Sequence, residues 1–374
     1  MDIPFFKSAV QSKGLGFFLK KEVAVLGIDI GSTSIKMIQL GLQAEKAVLE
    51  TYGELAIGPA TGGKVGQAAH LNDTKASEIV SDIVRETGAT AKEAVVSIPL
   101  RNSFITLVEM PRLNDTELEE AMQYEARRYI PIPMSEVVVD WWRLPDESGQ
   151  EVSSAVPRHA TSAQILLVAV PKEVVEKYKR ILTAAGLTPI AFEIETFGAI
   201  RSVVSRERFG VLVVDFGAVT TKMTILDRGI IRASHSFEKG FQDMTVALSQ
   251  SLGVDFERAE AMKRETGLSS KPEQQGIFKV ISPLMDYILI EVERFSANYS
   301  RRYNLPISKI YILGGGSVMQ GLVDYMSKRF GVEILVANPF AKVEYPPFFQ
   351  PVLKEIGPTF AVAVGLALRG LKPE

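Results

Sequence analysis

The chain has 374 residues and a formal net charge of −2, and 23% of its residues are charged while 46% are hydrophobic. This composition indicates a soluble globular protein with room for two or more domains and no basic surface for nucleic acid. The absence of cysteine excludes disulfides, thiol catalysis and cysteine-based zinc sites and fits a reducing cytoplasm, and no apolar stretch approaches the ~20 residues of a membrane span.

The first 23 residues mix aromatic residues with lysines. A signal peptide needs a continuous apolar core, which Gln11, Ser12 and Lys13 interrupt. We therefore expect residues 1–23 to form a leader, flexible or amphipathic, that packs on the domain or on a partner. Contact with a membrane surface is the alternative.

The segment after the leader predicts a phosphate-binding hairpin. Residues 25–37 read VLGIDIGSTSIKM: a hydrophobic strand ends at Asp29, the chain turns at Gly31, and Ser32 and Thr33 lead into a second strand. Such a turn presents backbone N–H groups and hydroxyls to an anion, and the carboxylate before it can hold a hydrated Mg²⁺. Taken alone, an ordinary β-hairpin explains the segment equally well.

Residues 58–65, GPATGGKV, nearly spell a Walker P-loop. Val65 stands where that motif requires a Ser or Thr for Mg²⁺. We therefore interpret residues 58–73 as a polar surface loop that does not touch nucleotide.

Residues 93–187 predict a small inserted α/β subdomain. Its helix from Asn114 begins with a capping box, because Glu117 follows three positions later, and ends at Pro131. A helix near residues 75–87 precedes the subdomain. The strand and helix runs within it are strands at 94–98, 103–110, 136–142 and 163–170 and an amphipathic helix at 171–186.

Residues 211–223, VLVVDFGAVTTKM, repeat the first hairpin without a gap. Asp215 and Gly217 stand where the first copy has its Asp and Gly, whereas Ala218 and Val219 replace its two hydroxyl residues. Two such hairpins facing each other would clamp one nucleoside triphosphate from both sides. The repeat therefore argues against the explanation that both segments are ordinary β-hairpins.

A third element lies at residues 310–322, IYILGGGSVMQGL. Here a buried strand runs into Gly314, Gly315 and Gly316 and then into a helix. Because glycine has no Cβ, a flat adenine could lie against this backbone.

The order strand-Asp-x-Gly, the same again, then strand-Gly-Gly-Gly resembles the actin-like ATPase superfamily. Residues 193–201 resemble its connecting helix, and residues 356–367 resemble its last segment, a helix whose Gly and Ala would let two helices cross closely. The resemblance implies an α/β protein with the actin-like ATPase fold, that is, two ribonuclease-H-like domains and an FtsA/PilM-type insertion. Its implied boundaries are a domain-one core at 24–92, completed by 188–209 and 343–374, the insertion at 93–187, and domain two at 210–342.

Residues 110–140, MPRLNDTELEEAMQYEARRYIPIPMSEVVVD, closely resemble the PilM family of type IV pilus assembly proteins. The resemblance covers residues 24–374. It implies a cytoplasmic scaffold of type IV pilus or related type II secretion assembly, peripheral at the inner membrane through its partners. The implied partner is the cytoplasmic N-terminal tail of a PilN-like inner-membrane protein, with other pilus assembly proteins beside it and no nucleic acid. A homo-oligomer or filament stays open.

The resemblance also implies ATP and Mg²⁺ as cofactors, with Asp29 and Asp215 holding the metal through water. Glu260 and Lys263, on a helix from residue 255, would flank ribose and adenine, although a solvated charged helix face explains them equally well. The remaining implied nucleotide contacts are Gly31, Ser32, Thr33 and Lys36 in the first loop, Gly217, Ala218, Thr220 and Lys222 in the second, and Gly314, Gly315, Gly316 and Ser317 around the adenosine.

Catalysis has a single candidate. Hydrolysis requires a polar group that orients water in line with the γ-phosphate, and Glu195 on the connecting segment is the residue that the pattern offers. A structural, salt-bridged role is the alternative for this residue. We expect weak or no ATPase activity, with ATP acting mainly as a ligand that fixes the angle between the domains.

Two other function classes share the fold. An FtsA-like division protein would end in a linker and an amphipathic membrane helix, for which we expect no room after residues 365–374. A sugar or acid kinase needs a base for its acceptor hydroxyl, and the pattern offers no acidic group beyond the two loop aspartates. A phosphoryl-transfer assay would separate the kinase from the scaffold.

Overall fold

The computed structural model describes residues 23–144, 162–205, 207, 209–269, 271–303 and 305–371. The predicted leader therefore lies outside the described residues, apart from Val23. The strands are β1 (Ala24–Ile30), β2 (Ser34–Gln43), β3 (Lys46–Ala56), β4 (Glu93–Ile98), β5 (Phe104–Pro111), β6 (Val137–Arg143), β7 (Ser162–Pro171), β8 (Thr188–Ile194), β9 (Gly210–Phe216), β10 (Thr221–Asp227), β11 (Ile230–Phe237), β12 (Ile307–Leu313) and β13 (Glu333–Val336). The α-helices are α1 (Asp73–Glu86), α2 (Asp115–Tyr129), α3 (Lys172–Ala184), α4 (Glu195–Val203), α5 (Phe241–Leu252), α6 (Phe256–Thr266), α7 (Gln275–Tyr303), α8 (Leu322–Phe330) and α9 (Gln350–Leu371).

Two five-stranded sheets share one plan. The first has the strand order β3-β2-β1-β4-β8 and the second the order β11-β10-β9-β12-β13. In each, an antiparallel three-stranded ribbon continues into parallel strands, because β1 is antiparallel to β2 but parallel to β4, and β9 is antiparallel to β10 but parallel to β12. The repeat seen in the two hairpins therefore extends to whole sheets, and we call the two units domain one and domain two.

The inserted unit is smaller than the sequence predicts. Its sheet has the order β5-β7-β6, packs against α2, and spans residues 104–171. The strand β4 instead pairs with β1 and β8 in the sheet of domain one, and α3 packs against α1 and β8. The predicted boundary of 93–187 is therefore wrong at both ends. An apolar run predicts a buried strand, but it does not indicate which sheet the strand joins.

Local signals place the helices well. The predicted capping box at α2 is present: the Asn114 side chain accepts from the Glu117 N–H, and the Glu117 carboxylate accepts from the Asn114 N–H. Asn72 caps α1 in the same way through the Lys75 N–H. These caps satisfy backbone donors that a first helical turn leaves unpaired.

The last helix shows that the prediction of no apolar stretch near the length of a membrane span is wrong. Residues 347–371 are long and apolar enough to cross a membrane by length and composition. Most of this segment is buried, however, and α9 packs against β1, β2, β4 and α4. It is the central helix of the domain-one core.

Helices α4 and α9 cross at two glycines, as the small residues of the last helix predict. A Cβ on Gly365 would lie 1.7 Å from the carbonyl oxygen of Gly198. Beside the crossing, the fully buried Glu193 carboxylate accepts two hydrogen bonds of 2.6 Å from Arg201 and one of 3.1 Å from Arg369. The two helices thus approach at backbone distance with a charged network alongside.

We predict that Gly365→Ala lowers the free energy of unfolding by about 1–3 kcal/mol, because its Cβ overpacks the crossing. Urea unfolding followed by circular dichroism measures the change. The matched control is Gly276→Ala in α7, where a Cβ meets no atom within 4 Å. We expect the control to be neutral or stabilised by at most about 1 kcal/mol. Equal stability of the two variants would contradict the close approach of α4 and α9 at these glycines.

Candidate functional site

A cavity of about 680 Å³ lies between domain one and domain two. It opens at the carboxyl ends of β1, β4, β9 and β12, where Asp29, Pro99, Asp215 and Leu313 line it. Ligands of open α/β sheets bind at this end of the strands. The cavity is therefore the candidate site.

All but one of the predicted site residues line this cavity. They are Asp29, Gly31, Ser32, Thr33, Lys36, Glu195, Asp215, Gly217, Ala218, Thr220, Lys222, Glu260, Lys263, Gly314, Gly315 and Gly316. The exception is Ser317, which is buried behind the glycines and donates its hydroxyl to the Gly314 carbonyl at 2.7 Å. Ser317 supports the glycine turn and does not border the cavity.

The two hairpin turns close in the same way. The Gly31 N–H donates to the Ser34 carbonyl at 3.0 Å, and the Gly217 N–H donates to the Thr220 carbonyl at 3.0 Å. A Cβ on Gly217 would come within 2.7 Å of that Thr220 oxygen. The backbone shape is therefore shared although the side chains after each glycine differ.

The side chains around the two aspartates are not equivalent. Asp29 accepts a hydrogen bond of 2.8 Å from the Ser97 hydroxyl, whereas Asp215 pairs with Lys222 at 2.9 Å. Lys36, which corresponds to Lys222 in the repeat, pairs at 3.3 Å with Glu54. One aspartate thus has a neutral partner and the other a cationic one.

Lys222 is held between two carboxylates. Its ammonium lies 2.6 Å from Glu195 Oε2 and 2.9 Å from Asp215 Oδ2, and Glu195 Oε1 accepts the Leu100 N–H at 2.8 Å. Both Glu195 oxygens are therefore engaged, as the structural alternative for this residue predicts. Asp29 is a further carboxylate close enough to influence Glu195.

Burial and charge set the ionisation of this cluster. Burial raises the pKa of Glu195; Lys222 opposes this effect, and Asp215 and Asp29 add to it. Burial alone would lower the pKa of Lys222, but the carboxylates of Asp215 and Glu195 outweigh it and hold that pKa above its usual range. Lys222 consequently keeps its charge at every physiological pH.

A second charged cluster lies on α6. The buried Lys263 ammonium donates to Glu260 Oε2 at 2.7 Å, to the Thr245 hydroxyl at 2.8 Å and to the Phe241 carbonyl at 3.1 Å. Burial raises the pKa of Glu260, but Lys263 and the surrounding hydrogen bonds lower it overall. The alternative of a solvated helix face is therefore wrong for these two residues.

Residues 66–71, taken from sequence as surface loop, contribute to the cavity wall. The Ala68 N–H donates to the Gln242 side chain of domain two at 2.6 Å, and the Ala69 N–H donates to the Ser32 carbonyl at 3.1 Å. The Walker-like residues 58–65 are not among the residues that line the cavity. The loop after them bridges the two domains, and no local sequence signal indicates this.

Three further lining residues also lacked a sequence signal: Arg101, Lys177 and Tyr178. Arg101 follows β4, and the other two lie on α3. They reach the cavity only because β4 and α3 belong to domain one. Within the described ranges, no cluster of three or more His, Cys, Asp or Glu side chains could hold a metal ion by itself.

Comparison with known proteins decides the family. A profile described as "Type IV pilus assembly protein PilM" matches residues 27–371. The chain belongs to the PilM family of type IV pilus assembly proteins.

Solved and curated relatives agree with this assignment. The structure titled "PilM-PilN type IV pilus biogenesis complex" is 26% identical with a TM-score of 0.79, and the match covers 94% of this chain and 100% of that one. MreB 5 of Spiroplasma citri bound to AMPPNP is 12% identical with a TM-score of 0.51, covering 91% and 94% of the two chains. The cell division protein FtsA of Pseudomonas aeruginosa is 19% identical, covering 94% of this chain and 90% of FtsA. The predicted actin-like ATPase fold is confirmed.

We predict that Lys222→Met lowers the free energy of unfolding by about 3–5 kcal/mol, because two buried carboxylates lose their cation. Without Lys222 the pKa of Glu195 rises further. The folded protein then binds a proton that the unfolded chain has released, so the loss of stability grows as the pH rises above the ordinary pKa of a glutamate and toward the raised pKa of Glu195. Urea unfolding across this range measures it.

The matched control is Lys36→Met, the corresponding lysine of the first hairpin. Its partner Glu54 has a 43% exposed side chain, so we expect a loss below about 1 kcal/mol with little pH dependence. Equal losses for the two lysines, or a Lys222→Met loss that shrinks as pH rises, would contradict the role of the buried cluster.

Proposed function

We propose that this PilM-family protein binds Mg·ATP in the cavity between its domains and acts as a cytoplasmic scaffold, peripheral at the inner membrane. In this role it holds the N-terminal cytoplasmic tail of a PilN-like membrane protein. The observation that carries the nucleotide part is the pair of matched hairpin turns facing one cavity. Related actin-like structures carry nucleotide, such as MreB 5 bound to AMPPNP.

The phosphates fit between the two turns. Backbone N–H groups after Gly31 and Gly217, with the Ser32 and Thr33 hydroxyls, are donors of the type that cradles phosphate. The cavity volume of about 680 Å³ lies within the usual size of ligand pockets.

Magnesium fits this site as a hydrated ion. Mg²⁺ usually keeps several waters and takes one or two protein carboxylates together with substrate phosphates. Asp29 and Asp215, one at the end of each first hairpin strand, would hold it, and the ion would neutralise phosphate charge. The lack of an all-protein ligand cluster among the described residues agrees with this mode of binding.

The adenosine fits against the glycine segment. Gly314 has a φ of +82°, and a Cβ there would lie 2.3 Å from Asp215 Oδ1, so this position is required for the turn itself. A Cβ on Gly315 would meet no protein atom within 4 Å and would point into open space. At Gly315 the backbone is therefore directly accessible to a ligand.

Turnover is proposed to be weak or absent. A residue that orients water needs a free oxygen near the γ-phosphate. Glu195 has one oxygen on Lys222 and the other on the Leu100 N–H. ATP would act chiefly as a ligand that stabilises one arrangement of the two domains.

The partner tail is proposed to bind between the inserted unit and domain one. Strand β6 pairs with β7, and among the described residues no strand covers its other edge. On its domain-one face, Val138 is half-buried, and the Trp142 ring lies 5.9 Å from the Phe197 ring. An extended peptide could add to this edge and place alternate side chains in the groove.

A relative solved in a complex with PilN supports this partner. The FtsA alternative has weaker support, because the family profile and the solved relative both point to PilM.

We predict that Gly315→Val raises the dissociation constant of Mg·ATP at least about tenfold, a loss of about 1.4 kcal/mol, because the side chain fills the adenosine space. Titration calorimetry measures it. The matched control is Gly276→Val, since a Cβ at either glycine meets no atom within 4 Å. Wild-type affinity in a folded Gly315→Val variant would refute the adenosine assignment.

We predict that a synthetic PilN-tail peptide slows alkylation of the thiol in Val138→Cys at least about fivefold, because the peptide covers that face. The chain has no cysteine, so each variant carries a single thiol. Tyr124→Cys on α2 is the control, because Tyr124 is 69% exposed on the outer side of the inserted unit. If the peptide binds but protects both thiols equally, or protects only the control thiol, the result would contradict peptide binding in this groove.

A further inference from the structure

The inserted unit joins domain one through two connections. The first runs from β4 to β5 and contains Arg101, and the second passes directly from β7 into α3, whose second turn contains Lys177. Both side chains line the cavity. One cavity cation therefore lies in the first connection, and the other lies in the second turn of the helix that follows the second connection.

These two cations differ from the other cations of the cavity. The lysines and arginine that also line it are paired with carboxylates: Lys36 with Glu54, Lys222 with Glu195 and Asp215, and Lys263 and Arg264 with Glu260. Arg101 and Lys177 form no hydrogen bond or ion pair with any residue in the described ranges, and Arg101 is exposed. They are available to a ligand's negative charge.

Their place in the cavity is the phosphate end. Tyr178, next to Lys177, has its pKa raised by burial and then by the charges of Glu195 and Asp29, while Arg101 acts on it in the opposite sense. Arg101 and α3 thus lie near Asp29 and the first hairpin. The Glu260 cluster, assigned to the nucleoside, belongs to domain two.

The inserted unit is also tied to domain two. The Leu100 N–H beside Arg101 is bonded to Glu195, which holds Lys222 of β10. On the far side of the unit, Arg232 of β11 donates to the Gln164 side chain of β7. A shift of either connection would therefore change how the unit sits against both domains.

Building on the proposed Mg·ATP site, we propose that Arg101 and Lys177 bind the terminal phosphate of the nucleoside triphosphate. They distinguish ATP from ADP, because only the triphosphate reaches both cations. The γ-phosphate then holds the β4–β5 connection and the first two turns of α3 against the cavity, so the nucleotide state sets the position of the inserted unit. A ligand shifts such an equilibrium only through its different affinity for the two arrangements.

The test compares Arg101→Gln, Lys177→Gln and the double variant with wild type by calorimetry. Loss of one charge-assisted hydrogen bond should raise the dissociation constant of Mg·ATP about tenfold for each single variant. That of Mg·ADP should change less than about twofold. The matched control is Lys179→Gln, also on α3, since Lys179 pairs with Glu176 and does not line the cavity.

A second measurement follows the inserted unit. Amide hydrogen exchange in β5 and β7 should differ between ATP-bound and ADP-bound wild type and become equal in the double variant. Equal weakening of ATP and ADP, or no weakening of either, would overturn the assignment of these cations while leaving the nucleotide site intact. Wild type that binds neither nucleotide would overturn the proposed site as well.

Discussion

The close crossing of α4 and α9 is the constraint on which the cavity depends. Gly198 and Gly365 bring the two helix backbones into contact, so α4 can begin with Glu195 at the cavity floor while α9 passes along its wall. The Gly314 N–H of domain two donates to the Pro358 carbonyl of α9 at 2.9 Å. One helix of domain one thus positions the glycine turn of domain two. This contact fixes the two halves of the site relative to each other.

Charge, rather than shape alone, decides what the cavity can hold. Glu195 and Asp215 share one buried ammonium, that of Lys222, and Asp29 also acts on Glu195, so carboxyl groups outnumber ammonium groups in this cluster. A divalent cation would relieve this imbalance, and phosphates would follow it. The same arrangement engages both oxygens of Glu195, and for this reason we propose nucleotide binding with weak or no hydrolysis.

The two halves of the protein share a backbone fold but present different side chains to the cavity. The first hairpin offers hydroxyls and an aspartate with a neutral partner, whereas the second offers Ala218 and Val219 and an aspartate paired with Lys222. Among the described residues, an inserted three-stranded sheet is present in the first half and not in the second. The duplicated fold therefore presents two similar backbone turns with different side chains to one cavity.

The sequence by itself determined the repeat, the hairpin turns, the glycine segment and the family, because each of these features is encoded within a few neighbouring residues. The residues that it assigned to the site all line the cavity except Ser317, whose hydroxyl donates to the Gly314 carbonyl behind the cavity. Only the tertiary structure decided that β4 joins the first sheet, that Glu195 is bonded on both oxygens, and that residues 66–71 and Arg101 reach the cavity. These features depend on groups far apart in the chain, and no local pattern records which of them meet after folding.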